Sequence, residues 1–96
     1  MALIYIVEDD ENIREIESIA LKNSNYMVKA FGRASDFYRS LDVLLPDLVL
    51  LDVMLPDENG CQIVRRLRAN AATRRLPVIM VTAKTSEMDM VKGLDE

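Results

Sequence analysis

Histidine and tryptophan are absent from this 96-residue sequence, and cysteine occurs once, as Cys61. Without imidazole the chain can hold no histidine-based catalytic triad, no imidazole zinc site and no histidine phosphocarrier. A single thiol cannot close an internal disulfide, which suits a reducing compartment, so a cytoplasmic location is expected. No apolar run approaches the ~20 residues that span a bilayer. Met1 leads into "ALIYIV" without a basic n-region, so neither a signal peptide nor membrane contact is expected. A basic footprint is also missing. Twelve Lys and Arg against 16 Asp and Glu give a formal net charge of −4, which argues against direct nucleic-acid contact by this chain. No internal repeat, low-complexity segment or linker interrupts it.

What remains is a packed globule. Half of the residues are hydrophobic and 29% are charged, as expected for one small domain over residues 1–96. "LIYIV" (3–7), "YMVKAF" (26–31), "LVLL" (48–51) and "VIMV" (78–81) read as strands, with Pro46 and Pro77 at the entries to the last two. Ile13, Ile16, Ile19 and Ala20 recur at helical spacing behind Asp10, a candidate cap. Ser35 is a candidate cap for a second helix carrying Phe37, Leu41, Leu44 and Leu45. Ile63, Val64 and Leu67 mark a third helix after Gly60, and Ser86, Met88, Val91 and Leu94 a fourth. Alternating strands and helices predict an α/β fold with a parallel sheet covered on both faces. Lys29 puts the second strand at an edge.

In such a sheet, ligands sit beyond the carboxyl ends of the strands. Strand one ends in Glu8, Asp9 and Asp10, strand three in Asp52, and strand four in Thr82 and Ala83. Adjacent strands lie about 4.8 Å apart, so side chains from two strand ends reach one small ion. Clustered carboxylates repel unless protons or a cation intervene. An oxygen-only set favours a hard cation, Mg²⁺ before Ca²⁺ or Zn²⁺. Asp52, as an ionised carboxylate, can accept a phosphoryl group without a general base. Thr82 could then donate a hydrogen bond to a new phosphate oxygen. Each residue alone has an ordinary reading. Asp52 is a turn former, Asp10 a cap, "EDDE" a solvated run, Thr82 a polar strand end, Cys61 a small buried residue, and the methionines core filler. Three polar sites at three strand ends carry the argument.

The motifs "YIVEDDENIR", "LVLLDVMLPDENG" and "PVIMVTAKTSEMDMVKGLD" together resemble the receiver domain of two-component response regulators, over essentially the whole chain. The resemblance implies a flavodoxin-like, doubly wound sheet in strand order 2-1-3-4, with Asp52 as phosphoacceptor. It implies that Glu8, Asp9, Asp52 and the backbone carbonyl of Met54 hold Mg²⁺, Asp9 most directly and Glu8 partly through water. Thr82 falls on the switch hydroxyl, Ala83 on the small residue that lets phosphate approach, and Pro56 and Gly60 on the loop shaping the site. The implied partner is a sensor histidine kinase that supplies the missing phosphodonor histidine. The chain would be no enzyme in its own right, beyond self-catalysed phosphoryl transfer and autodephosphorylation. The segment "TAKTSEMDMVKGLD" looks most like receivers of the winged-helix, OmpR/PhoB-like subfamily, so a parent transcription regulator is implied, with DNA contacted by an effector domain outside this chain.

One departure stands out. The family pattern continues into a fifth strand, a lysine that contacts the phosphate, a switch aromatic and a fifth helix. None of these falls within residues 1–96, and Lys84 and Lys92 do not occupy the lysine's position. The expectation is a C-terminally incomplete receiver domain with an open edge on strand four, hence marginal stability or self-association. Two rival readings remain: an inactive, receiver-like interaction module, and a Mg²⁺-dependent aspartyl-phosphate phosphohydrolase. The second typically needs an acid two residues after the nucleophile, where Met54 stands.

Overall fold

A computed structural model gives the structure of residues 1–81. The elements run β1 (Leu3–Val7), α1 (Glu11–Asn23), β2 (Met27–Phe31), α2 (Ala34–Leu41), β3 (Leu48–Asp52), α3 (Gly60–Ala69) and β4 (Val78–Val81). All strand pairs are parallel, in the expected order β2-β1-β3-β4. The fourth helix, Thr82 and Ala83 lie outside the described residues.

Alternation along the strands sorts the core. Tyr5 and Val7 of β1 and Val49 and Leu51 of β3 pack with Phe37 of α2 and with Ile63 and Leu67 of α3. Ile4 and Ile6, also buried, point to the opposite side of the sheet by the two-residue period. A strand buried on both faces reads as a continuous apolar run, as β1 does in "LIYIV", whereas in β3 Val49 and Leu51 are buried and Leu48 and Leu50 on the other face only half-buried. Lys29 does lie on an edge strand. Among the described residues β4 forms the other edge, with Ile79 half exposed.

Several local expectations need correction. The second helix stops at Leu41, so Leu44 and Leu45 lie beyond it and are exposed. The Tyr5 hydroxyl, rising from the sheet, donates to the Leu44 carbonyl (2.5 Å) and accepts from Ser40 Oγ (3.0 Å), fixing where the chain turns. Ser35 is not the cap. The cap position is Arg33, which makes no side-chain capping bond. Instead the Asp57 carboxylate, from the β3–α3 loop, accepts from the backbone N–H of Ala34 (2.9 Å) and Ser35 (3.1 Å). In α1 the apolar stripe is not buried, since Ile16 and Ile19 are exposed. Cys61 is only half-buried. Met1, Met27 and Met54 are exposed, not core filler.

The capping by Asp57 generates a prediction. The Ala34 N–H, then the Ser35 N–H, hold the Asp57 carboxyl below its ordinary range. A depressed folded-state pKa adds stability above the unfolded value and loses it as pH falls through the folded one. Asp57→Ala should therefore cost about 1 kcal/mol at neutral pH, and the deficit should shrink in acid. Urea unfolding at neutral and strongly acidic pH measures it; an equal deficit at both would contradict the cap.

Candidate metal centre

Strand pairing brings the carboxylates together. Val7 is in register with Leu51, so Glu8 and Asp9, the next two residues after β1, emerge beside Asp52, the last residue of β3. One carboxylate oxygen from each of Glu8, Asp9 and Asp52 lies within 4.8 Å of the other two. Glu8 and Asp52 are each only 5% exposed, which decides that solvent cannot screen them fully. Asp10 is not part of the group. Its Oδ1 accepts from Asn12 N (2.9 Å) and Ile13 N (3.0 Å) as the cap of α1.

Few donors face the three acids. Asp10 N–H donates to Glu8 Oε1 and Met54 N–H to Asp52 Oδ1, both at 3.2 Å. Asp9 Oδ1 is buried with no hydrogen-bond partner. Among the described residues no arginine or lysine forms an ion pair with any of them. Arg14, which sequence reading passed over, reaches this strand end, where its Nη1 donates to the Glu8 backbone carbonyl (2.9 Å). A basic residue one turn into the helix behind the acidic run was the available signal.

The titration behaviour follows. Burial pushes the Glu8 carboxyl up to about 7, against the Asp10 N–H, with neighbouring Asp52 and Asp9 adding to the rise. Burial likewise lifts Asp52, against the Met54 N–H, with Asp9 adding. Protons and a cation compete for such a cluster. An oxygen-only donor set with one buried, unpartnered oxygen fits a hard divalent cation.

The loop after Asp52 is closely defined. Met54 and Asn59 face each other in an antiparallel bridge, and Gly60 N–H donates to Val53 O (2.7 Å). This places the Met54 backbone two residues beyond Asp52, on a loop closed back onto the strand. A Cβ at Gly60 would stand 2.8 Å from both Asp52 O and Val53 Cα. Only glycine lets α3 start this close to the strand end. Asn59 caps that helix, its side chain accepting from Cys61 N (2.7 Å).

Comparison with known proteins agrees with this geometry. Residues 4–96 match the response regulator receiver domain family. The DNA-binding response regulator MtrA of Mycolicibacterium smegmatis is 39% identical over 92 residues, covering 96% of this chain and 39% of its own length. The phosphate regulon transcriptional regulatory protein PhoB of Rhizobium meliloti is 38% identical over 91 residues, covering 95% of this chain and 40% of its own. The chain thus spans well under half of these curated relatives, which are DNA-binding regulators of OmpR/PhoB type. The crystal structure of a putative response regulator from Chloroflexus aurantiacus superposes with a TM-score of 0.88 at 26% identity, over 98% of this chain and 77% of that one. From strand order, acidic cluster and family match alike, the chain belongs to the response regulator receiver domains.

Proposed function

We propose that this domain accepts a phosphoryl group on Asp52, with Mg²⁺ held by Glu8, Asp9, Asp52 and the Met54 backbone carbonyl. The observation that carries the reading is the convergence of three carboxylate oxygens within 4.8 Å, one buried oxygen of Asp9 lacking any partner. The cation, when bound, neutralises the acids and the charge developing on the phosphoryl oxygens. An ionised oxygen of Asp52 forms the new bond to phosphorus as the bond to the leaving group breaks. With a phosphohistidine donor, the departing imidazole nitrogen takes up a proton. Glu8 and Asp9 orient the metal side of the site. Thr82 and Ala83 would serve the phosphate side, Thr82 by donating its hydroxyl hydrogen bond.

The donor is then a sensor histidine kinase, the setting cytoplasmic, and residues 1–96 a receiver portion of a transcription regulator. The DNA-binding relatives support that role, with DNA contacted outside this chain. The domain accepts phosphate and does not turn over a substrate. The phosphohydrolase alternative finds no support: Met54 stands where a second acid would be needed, its side chain exposed.

Two outcomes follow. In a Mg²⁺ titration watched by amide NMR, signals around Glu8, Asp9, Asp52 and Met54 should shift. Apparent affinity should rise with pH through about 7, as Glu8 gives up its proton. Equal shifts in wild type and Asp9→Ala would contradict the ligand assignment. Acetyl phosphate with Mg²⁺ should add one acid-stable, hydroxylamine-labile phosphoryl group, and Asp52→Asn should abolish it. Intact mass with peptide mapping reads this out; a phosphate on serine or threonine would overturn the acceptor assignment.

A further inference from the structure

Charge is unevenly distributed along this acidic chain. Residues 60–81 contain five arginines and no acidic residue or lysine, contributing +5, while the rest of the chain carries −9. One of the five, Arg68, is structural. Its Nη1 donates to the carbonyls of Arg74 (3.0 Å) and Leu76 (2.7 Å), lacing together the turn between α3 and β4. Thr73 Oγ1 donates to Leu67 O (2.7 Å) and Ala72 N–H to Asn70 Oδ1 (2.9 Å). The turn is therefore held in shape by its own hydrogen bonds, and it displays Arg74 and Arg75 as exposed side chains. Among the described residues neither has a carboxylate within ion-pair distance.

These two arginines border a cleft of about 550 Å³ between that turn and the α2–β3 connection, walled by Leu45, Pro46, Leu76 and Pro77. The adjoining connection exposes more apolar surface, with Val43 83%, Leu44 52% and Leu45 45% exposed. The carboxylate lining the cleft, Asp47, already accepts the Leu3 N–H at 2.7 Å. The result is a cleft with aliphatic walls, at the amino ends of β3 and β4, bordered by guanidinium groups that no carboxylate among the described residues pairs. About 13 Å of strand separates it from Asp52.

We propose that this cleft docks an acidic, apolar-bearing segment of a partner protein, with leucine-type side chains in the trough and carboxylates on Arg74 and Arg75. Charge complementarity selects the occupant. Guanidinium forks match carboxylates bidentately, and the preformed turn loses little freedom on binding. A nucleic acid fits less well, because the trough walls are aliphatic, offer no aromatic ring for base stacking, and belong to a chain that repels polyanions at long range.

The test uses amide NMR on the 96-residue chain with three probes: a synthetic helical peptide of Leu and Glu, its Leu and Lys counterpart, and a short DNA duplex. The Glu peptide should shift the amides of Leu44, Leu45 and Asp47 and of residues 71–76. It should bind about tenfold more weakly to Arg74→Glu/Arg75→Glu, and more weakly to Leu45→Ser, which keeps the charge. Asp52→Asn should leave binding unchanged, which separates this site from the phosphoacceptor reading. Equal response to both peptides, no response to either, or binding of DNA alone would overturn the proposal. So would concentration-dependent shifts at the cleft without any probe, since these would identify a second copy of the chain as the occupant.

Discussion

Parallel pairing of β1 with β3 forces three carboxylates into one small volume, and the rest of the site is arranged around that repulsion. Glu8 and Asp52 are nearly inaccessible, and their N–H donors are single backbone groups of Asp10 and Met54. Nothing in the described fold neutralises them with a basic side chain. Both carboxyls rise above their ordinary range, chiefly because the charged forms are desolvated, with Asp52 and Asp9 adding to the rise at Glu8 and Asp9 to that at Asp52. Such an arrangement costs stability that a core of the same volume would not. It makes physical sense as a place kept ready for positive charge, whether a proton or a cation.

The scaffold around the site explains why it stays assembled. The segment after Asp52 folds back through the Met54–Asn59 bridge and enters α3 at Gly60, where a side chain would collide with backbone. The same loop reaches sideways. Asp57 closes the amino end of α2, and Glu58 accepts from the Tyr38 hydroxyl (2.7 Å). Arg66 of α3 lies 4.2 Å from the Tyr38 ring centre, so both helices are tied to the loop that follows Asp52. The loop after Asp52 therefore has fixed attachments to both α2 and α3.

Much of this was legible in the sequence, for identifiable reasons. The strands could be read because short, aliphatic-rich runs stand out, although only β1 is buried on both faces, and the acids could be paired because each ends such a run. The strand order came from resemblance, since periodicity alone cannot say which strands are neighbours. What escaped notice depended on contacts distant in sequence. Asp57 caps a helix 23 residues earlier, where local reading favoured Ser35. The Tyr5 hydroxyl meets the Leu44 carbonyl across 39 residues, ending a helix that apolar spacing would have continued. The exposure of Ile16 and Ile19 was hidden because amphipathic spacing marks a face suited to burial without showing that anything covers it.

Until it is neutralised, the carboxylate cluster opposes folding. Unfolding free energy of wild type and Glu8→Gln, measured with and without Mg²⁺ across pH, tests this most directly. A carboxyl whose folded pKa is raised, here from 4.5 to about 7, favours the fold at low pH and withdraws that support as pH climbs through the interval. Metal-free wild type should therefore lose stability between those values. Glu8→Gln should show a flatter profile and exceed wild type at neutral pH, and Mg²⁺ should then stabilise wild type more than the variant. A metal-free Glu8→Gln protein less stable than wild type at neutral pH, with no difference in response to Mg²⁺, would contradict the account.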